Sequence, residues 1–348
     1  MKLYKQIIII LIVFFKTETL LSKNNLFSVN NIQLEKKDKI TNNELANKAI
    51  KAGFDQLISK ILLKADIEKL KDLNFSSIKQ LVTYYQITNI SDEEKNKELV
   101  NYSVTFDKDK IHDLFYKRNL SYSEILDKEL FILPLFFKDN EIFIFNNNYF
   151  YENWNEVYES DLIEFILPLE NIEIIQKINN NKNNLIDLEL KNLLQEYSKK
   201  NLALVLIEVK KNIGEKIYIK TFIQGKNISK SLSFKKNDSS NEKNYENIII
   251  EIKKELINLV KSENLIDIRT PSFLKAKLDL NKKSNLVEIN SRIKKIDLIE
   301  NVYVQDFSKD YMNLRIKYLG KLDKIINQLK RENINLQLIN DQWIIKAF

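Results

Sequence analysis

Cysteine is absent from this 348-residue chain, which removes disulfides, thiolate nucleophiles, cysteine-held zinc and iron–sulfur clusters together. A cysteine-linked lipid anchor goes with them. Histidine occurs once, at position 112, so a multi-histidine metal site such as HExxH cannot be built. A Ser–His–acid triad would have to use His112, and no GxSxG turn presents a serine to it. Four isolated glycines exclude both a P-loop and a GxGxxG fingerprint. With only three prolines, the chain is neither a linker protein nor a Gly-rich repeat. Asparagine takes over the turns, as in Asn146-Asn147-Asn148 and Asn179-Asn180-Asn181.

What is present first is a leader. Lys2 and Lys5 precede an unbroken apolar run from Ile7 to Phe15, and Lys16 closes it. The run is far shorter than the roughly 20 residues that span a bilayer, and it has the length of a secretory h-region. Residues 1–22 therefore read as a signal peptide or an N-terminal anchor, with cleavage at Thr17-Glu18-Thr19 or after Ser22. The expected location is the periplasm, with tethering to the inner membrane through residues 7–15 if the leader stays on.

The net charge of +7 is the small excess of 55 basic over 48 acidic residues, and the leader contributes part of it. Both signs are scattered throughout, so no nucleic acid partner is expected. Ser-x-x-Lys occurs at Ser76–Lys79, Ser233–Lys236 and Ser272–Lys275, without the SDN and KTG partners that a serine–lysine hydrolase needs. His112 reads as a surface or packing residue. No catalytic, cofactor or metal site is expected.

An apolar content of 44% suffices for packed cores. Thr41-x-x-Glu44 reads as a capping box opening a helix. Ala46, Ala49, Ala52 and Gly53 would let that helix approach a sheet closely. A second helix falls near Ser76–Thr83, strands near Tyr84–Ile90 and Leu99–Phe106, and a helix from Lys108 to about Arg118. Leu130–Leu135 and Leu202–Val209 are apolar runs of the buried-strand kind. Between them a helix is expected over Asp187–Lys199. A hairpin (Lys216–Gln224, Ile228–Phe234) and a helix over Tyr245–Val260 complete a mixed sheet. In the last stretch Leu286, Ile289, Ile293 and Ile296 share a helical face. Met312, Leu314, Ile316 and Tyr318 alternate with Asn313, Arg315 and Lys317, and Leu322, Ile325, Ile326 and Leu329 mark another helix. Asn340-Asp341 then turns into Trp343–Ile345. The class is α+β: small mixed modules in series over 23–125, 126–268 and 269–348, the last a ferredoxin-like βαββαβ unit.

Several segments together resemble the uncharacterised proteobacterial envelope family called domain of unknown function 2066. They are the leader, NELANKAIKAGFDQLISKIL, VNYSVTFDKDKIHDLF, LFILPLFF with the aromatic stretch and ENW beyond it, and the stretch from IENVYVQDF to INDQW. The middle module also looks like the N-terminal domain of TolB, and the last like the BON modules of bacterial envelope proteins. The family carries no known catalytic residues, so the resemblance implies a non-enzymatic protein that works by protein–protein contact in envelope assembly or maintenance. The alternative is a cell-wall or glycan-binding protein, with Tyr149, Tyr151, Trp154 and Tyr158 as its aromatic platform. Against that platform stands a simpler reading, an aromatic cluster packed under a loop.

Overall fold

The computed structural model describes residues 26–36, 40–92, 97–138, 141–157, 160, 162–210, 214–234, 241–280 and 286–347. The leader expected over 1–22 lies outside the described residues. In chain order the elements begin with β1 (Ser28–Glu35), α1 (Asn42–Ile61), α2 (Lys64–Ile67), α3 (Phe75–Gln80), β2 (Val82–Asp92), β3 (Lys97–Phe106), α4 (Lys108–Lys117) and β4 (Tyr122–Ser123). They continue with β5 (Glu129–Lys138), β6 (Glu141–Phe143), α5 (Tyr149–Glu152), β7 (Glu164–Ile166), α6 (Ile172–Asn180), α7 (Leu190–Leu193), β8 (Asn201–Lys210), β9 (Gly214–Ile223), β10 (Lys226–Phe234), α8 (Asn241–Glu263) and β11 (Leu265–Ile266). The last are β12 (Ser272–Asp279), α9 (Leu286–Ile293), β13 (Ile299–Phe307), β14 (Tyr311–Tyr318), α10 (Leu322–Arg331), β15 (Ile334–Ile339) and β16 (Gln342–Ala347). The protein is α+β, with its strands in small mixed or antiparallel sheets.

The chain divides into two compact units, Met1–Tyr122 with Ile266–Phe348 and Ser123–Leu265 between them. The expected first and last domains make one unit because their apolar residues bury together. Phe27, Leu57 and Tyr122 belong to the same buried cluster as Ile266, Leu298 and Leu319. Lys108 also donates its ammonium to the Asp297 carbonyl. The two crossings of the chain, β4 and β11, pair with each other.

In unit 1, Thr41 caps α1 as its sequence predicts. The Thr41 hydroxyl accepts from the Glu44 amide at 3.3 Å, and the Glu44 carboxylate accepts from the Thr41 amide at 3.0 Å. The small face of α1 lies on the sheet β1-β3-β2. Gly53 makes this possible, since a Cβ there would stand 3.0 Å from Ile32 Cδ1 and 3.4 Å from Val104 Cβ. The helix expected near Ser76–Thr83 stops at Gln80, because Val82 already pairs with Phe106.

The second sheet of unit 1 runs β13-β14-β12-β16-β15. Its first three strands keep the split βαβ order, with β12 antiparallel to β14. The place beside β12 goes to the last strand, β16, which runs parallel to it and pushes β15 to the edge. The hairpin that does this turns on Asn340 and Asp341, both at positive φ (48° and 60°), as a two-residue type I′ turn requires. Leu314 and Ile316 are buried and Arg315 is exposed, as the alternation predicts. Ile289, Ile293, Ile325 and Leu329 are buried too, but Leu286 at the first turn of α9 is exposed.

Unit 2 is a sheet of order β10-β9-β8-β5-β6 with β7 also on β5. β5 and β8 run parallel at its centre. Helices cover both faces, which explains the unbroken apolar runs. Leu130, Ile132 and Phe136 point with Ala203, Val205 and Ile207 into a core shared with Ile249, Ile252 and Leu256 of α8. Phe131, Leu133 and Leu135 point with Leu202 and Leu204 toward Ile174, Ile178 and Leu190. Pro134 sits on β5 between the stretches that pair with β7 and β6, where a missing N–H costs no ladder bond on that side. The helix expected over Asp187–Lys199 breaks into single turns, of which α7 is one. The helix that packs there instead is α6, capped by Asn171 onto the Glu173 amide at 2.7 Å.

Candidate functional site: the open strand edges of unit 1

The aromatic segment is drawn inward by one asparagine. Asn148 is wholly buried and donates its amide to the carbonyls of Pro134, Phe143 and Ile144 at 2.9, 3.0 and 2.8 Å. Its side-chain oxygen accepts from the Phe150 and Tyr151 amides and so starts α5. The residues that follow go under. Trp154 is fully buried, edge-on to Phe165 at 5.9 Å. Lys253, itself buried, donates to the Trp154 and Val157 carbonyls at 2.7 and 2.5 Å and stands over the rings of Trp154 and Phe165.

Tyr151 is half-buried, with its hydroxyl donating to the Pro168 carbonyl at 2.8 Å. Tyr149 lies tilted against Tyr245, with ring centroids 5.3 Å apart. Burial raises the hydroxyl pKa of both tyrosines. Tyr158 lies outside the described residues. Tyr149 and Trp154 thus lie in and against the core under α8, Tyr151 against the core on the other face of the sheet, and Trp154 offers no free ring face on which a sugar could stack.

His112 is also drawn inward. Its ring stacks on Tyr122 at 5.2 Å and meets Phe27 edge-on at 5.5 Å. Burial, and then the positive charge of Lys108, lower its pKa to about 4. Its Nε2 is buried without a hydrogen-bond partner among the described residues. The imidazole is therefore neutral near pH 7 and packs among these rings. Among the described residues no group of His, Asp and Glu could hold a metal ion, and no helix is long and apolar enough to cross a membrane.

What unit 1 does present is sheet edge. Among the described residues β13 pairs with β14 alone, leaving alternate backbone N–H and C=O groups open on the other side. Tyr303, Val304 and Phe307 are 47%, 57% and 64% exposed. They project from both faces of the strand: Tyr303 lies opposite the exposed Arg315, and Val304 opposite the buried Leu314. Neither lysine nor proline interrupts Ile299–Phe307. Register shifts at Ile299/Asn301 and Val304/Asp306 bend the strand.

The adjoining outer face is ordered by charge. The Arg315 guanidinium lies over Phe273 at 4.0 Å, Lys277 over Tyr311 at 4.7 Å, and Lys317 pairs with Glu300 at 2.7 Å. Among the described residues β2 is likewise an edge of the first sheet, with Tyr84, Tyr85 and Ile87 exposed. Chemically, such edges accept an added strand: main-chain bonds supply attraction and the flanking side chains supply selectivity. The sequence signal for β13 is the β-branched and aromatic run Val302-Tyr303-Val304, which favours a strand but does not give its place in a sheet. No family model and no curated protein matches the chain.

Proposed function

We propose that this is an exported envelope protein, without catalytic activity of its own, that works by binding another protein along β13. The observation that carries the reading is the bare edge with Tyr303, Val304 and Phe307 exposed on it. Monomeric proteins block such edges because they template pairing with other chains; β13 carries acidic residues and two bulges but no lysine or proline, and it keeps Tyr303, Val304 and Phe307 exposed, which supports a docking strand. The lysine-flanked apolar run Ile7–Phe15 supports export to the periplasm, with tethering where the run is retained. The resemblance to the domain of unknown function 2066 family, and of the middle module to the TolB N-terminal domain, is of the same kind.

A photo-crosslinking residue at Tyr303 tests the reading in envelope fractions. One discrete adduct is expected, and Val304→Lys should remove it while far-UV circular dichroism stays unchanged. An adduct that is indifferent to Val304→Lys and Phe307→Asp would overturn the β13 assignment. For export, a reporter fused after residue 25 should reach the periplasm, and deleting Ile7–Phe15 should strand it in the cytoplasm.

A further inference from the structure

A trough opens on the second face of the unit 2 sheet and encloses about 500 Å3. That is within the roughly 300–1,000 Å3 of small-molecule sites. Its position follows from topology. β5 and β8 run parallel, with Phe137 beside Glu208 near their carboxyl ends. Crevices form outside the carboxyl ends of parallel strands because the connecting segments leave the sheet there.

Apolar surface comes from Phe137, from Leu206 and Tyr218 facing each other across the β8–β9 ladder, and from Ile186 on the segment between α6 and α7. That segment is held in place: Lys220 donates to the Ile186 and Leu188 carbonyls at 2.7 and 2.9 Å. Across the trough, β10 places Ser231 opposite Tyr218 and Ser233 opposite Lys216. Both serines are exposed and small, so the edge strand leaves the space open.

Three charged side chains line it: Lys182, Glu208 and Lys216. Lys182 and Glu208 each have an interaction of their own, and Glu208 stands opposite Lys216 in the β8–β9 ladder. Lys216 is exposed and makes no ion pair among the described residues. The lining thus offers an apolar floor with one unpaired ammonium beside two hydroxyls.

We propose that the trough binds a monoanionic amphiphile, a carboxylate on a linear apolar chain. The chain lies on Leu206, Tyr218 and Ile186, and the carboxylate meets Lys216 beside Ser231 and Ser233. A volume of this size takes a chain of roughly ten to fourteen carbons. The site lies in the other unit from β13 and does not depend on the docking reading.

Displacement of a fluorescent anilinonaphthalene sulfonate from the full chain, by dodecanoate below its micelle concentration, tests it. Dodecanoate should compete at micromolar concentration, with dodecanol and dodecyltrimethylammonium at least about tenfold weaker. Lys216→Glu should weaken dodecanoate about tenfold and leave dodecanol unchanged. Ser231→Trp, or Ser233→Tyr as a second block, should abolish binding with the melting temperature unaltered, since both positions are exposed on an edge. Equal affinity for all three chains, binding that survives both blocking variants, or no displacement by dodecanoate would each overturn the proposal.

Discussion

His112 illustrates what a single residue type can and cannot announce. Its uniqueness excluded multi-histidine metal sites at once, but a histidine on a helix looks the same whether it faces water or Phe27 and Tyr122. The packed position changes the consequence of removing it: His112→Ala empties an aromatic pocket and should cost about 1–3 kcal/mol in urea denaturation. The pH dependence has a definite sign. With the folded pKa near 4 against 6.5 in the unfolded chain, only the unfolded state takes up a proton between those values. Stability from this residue is therefore complete above pH 6.5, falls as pH drops toward 4, and is level below. The loss is up to about 3 kcal/mol. Comparing wild type with His112→Gln across pH 4–7 should show that difference vanish in the variant.

Asn148 was legible only as one of three turn asparagines. Asn147 alone of the run takes the left-handed conformation, at φ 57°, while Asn148 closes a five-bond knot. Asn148→Ala leaves three carbonyls and two amides without it and should cost about 3 kcal/mol or more, read from the shift in the urea midpoint.

Elements were readable wherever two requirements agreed. In β14 the period of two coincides with a one-sided core, so Leu314 and Ile316 are buried and Asn313, Arg315 and Lys317 face outward. Leu314→Asp should therefore abolish the cooperative unfolding of unit 1, because the charge enters a core that offers no partner. Lys317 is less dispensable than its outward position suggests. Glu300 hydrogen-bonds it and raises its pKa, so Lys317→Asp sets two carboxylates together whereas Lys317→Gln does not. The aspartate should be the less stable of the two by about 1 kcal/mol in thermal melts.

Reading failed where apolar spacing was ambiguous. Leu185, Leu190, Leu193 and Leu194 are all buried and suggest one helix, but they are reached by successive single turns. The real helix is α6, whose Ile174 and Ile178 follow an asparagine cap. At Gly53 the small residue was readable as close approach, and Gly53→Val should cost about 1–3 kcal/mol by driving side chain into Ile32 and Val104.

At the scale of the whole molecule, local pattern gave the order of strands and helices but not which distant parts join. Nothing in the periodicity of residues 23–125 or 269–348 says that their apolar faces meet in one cluster, because periodicity marks a buried face without naming its partner. Two fragments check the division. Residues 123–265 carry two closed cores around one sheet and should melt cooperatively when expressed alone. Residues 269–348 lack the half of the cluster that includes Phe27, Leu57 and Tyr122, and should be rapidly digested by protease.

The pairing of β4 with β11 has a mechanical side. Because the chain leaves unit 1 and re-enters it at neighbouring points, tension applied to its two ends passes through unit 1 and bypasses unit 2. Unit 2 adds no length until unit 1 has torn open between Tyr122 and Ile266. A molecule pulled by its two ends would thus extend in a fixed sequence, unit 1 first.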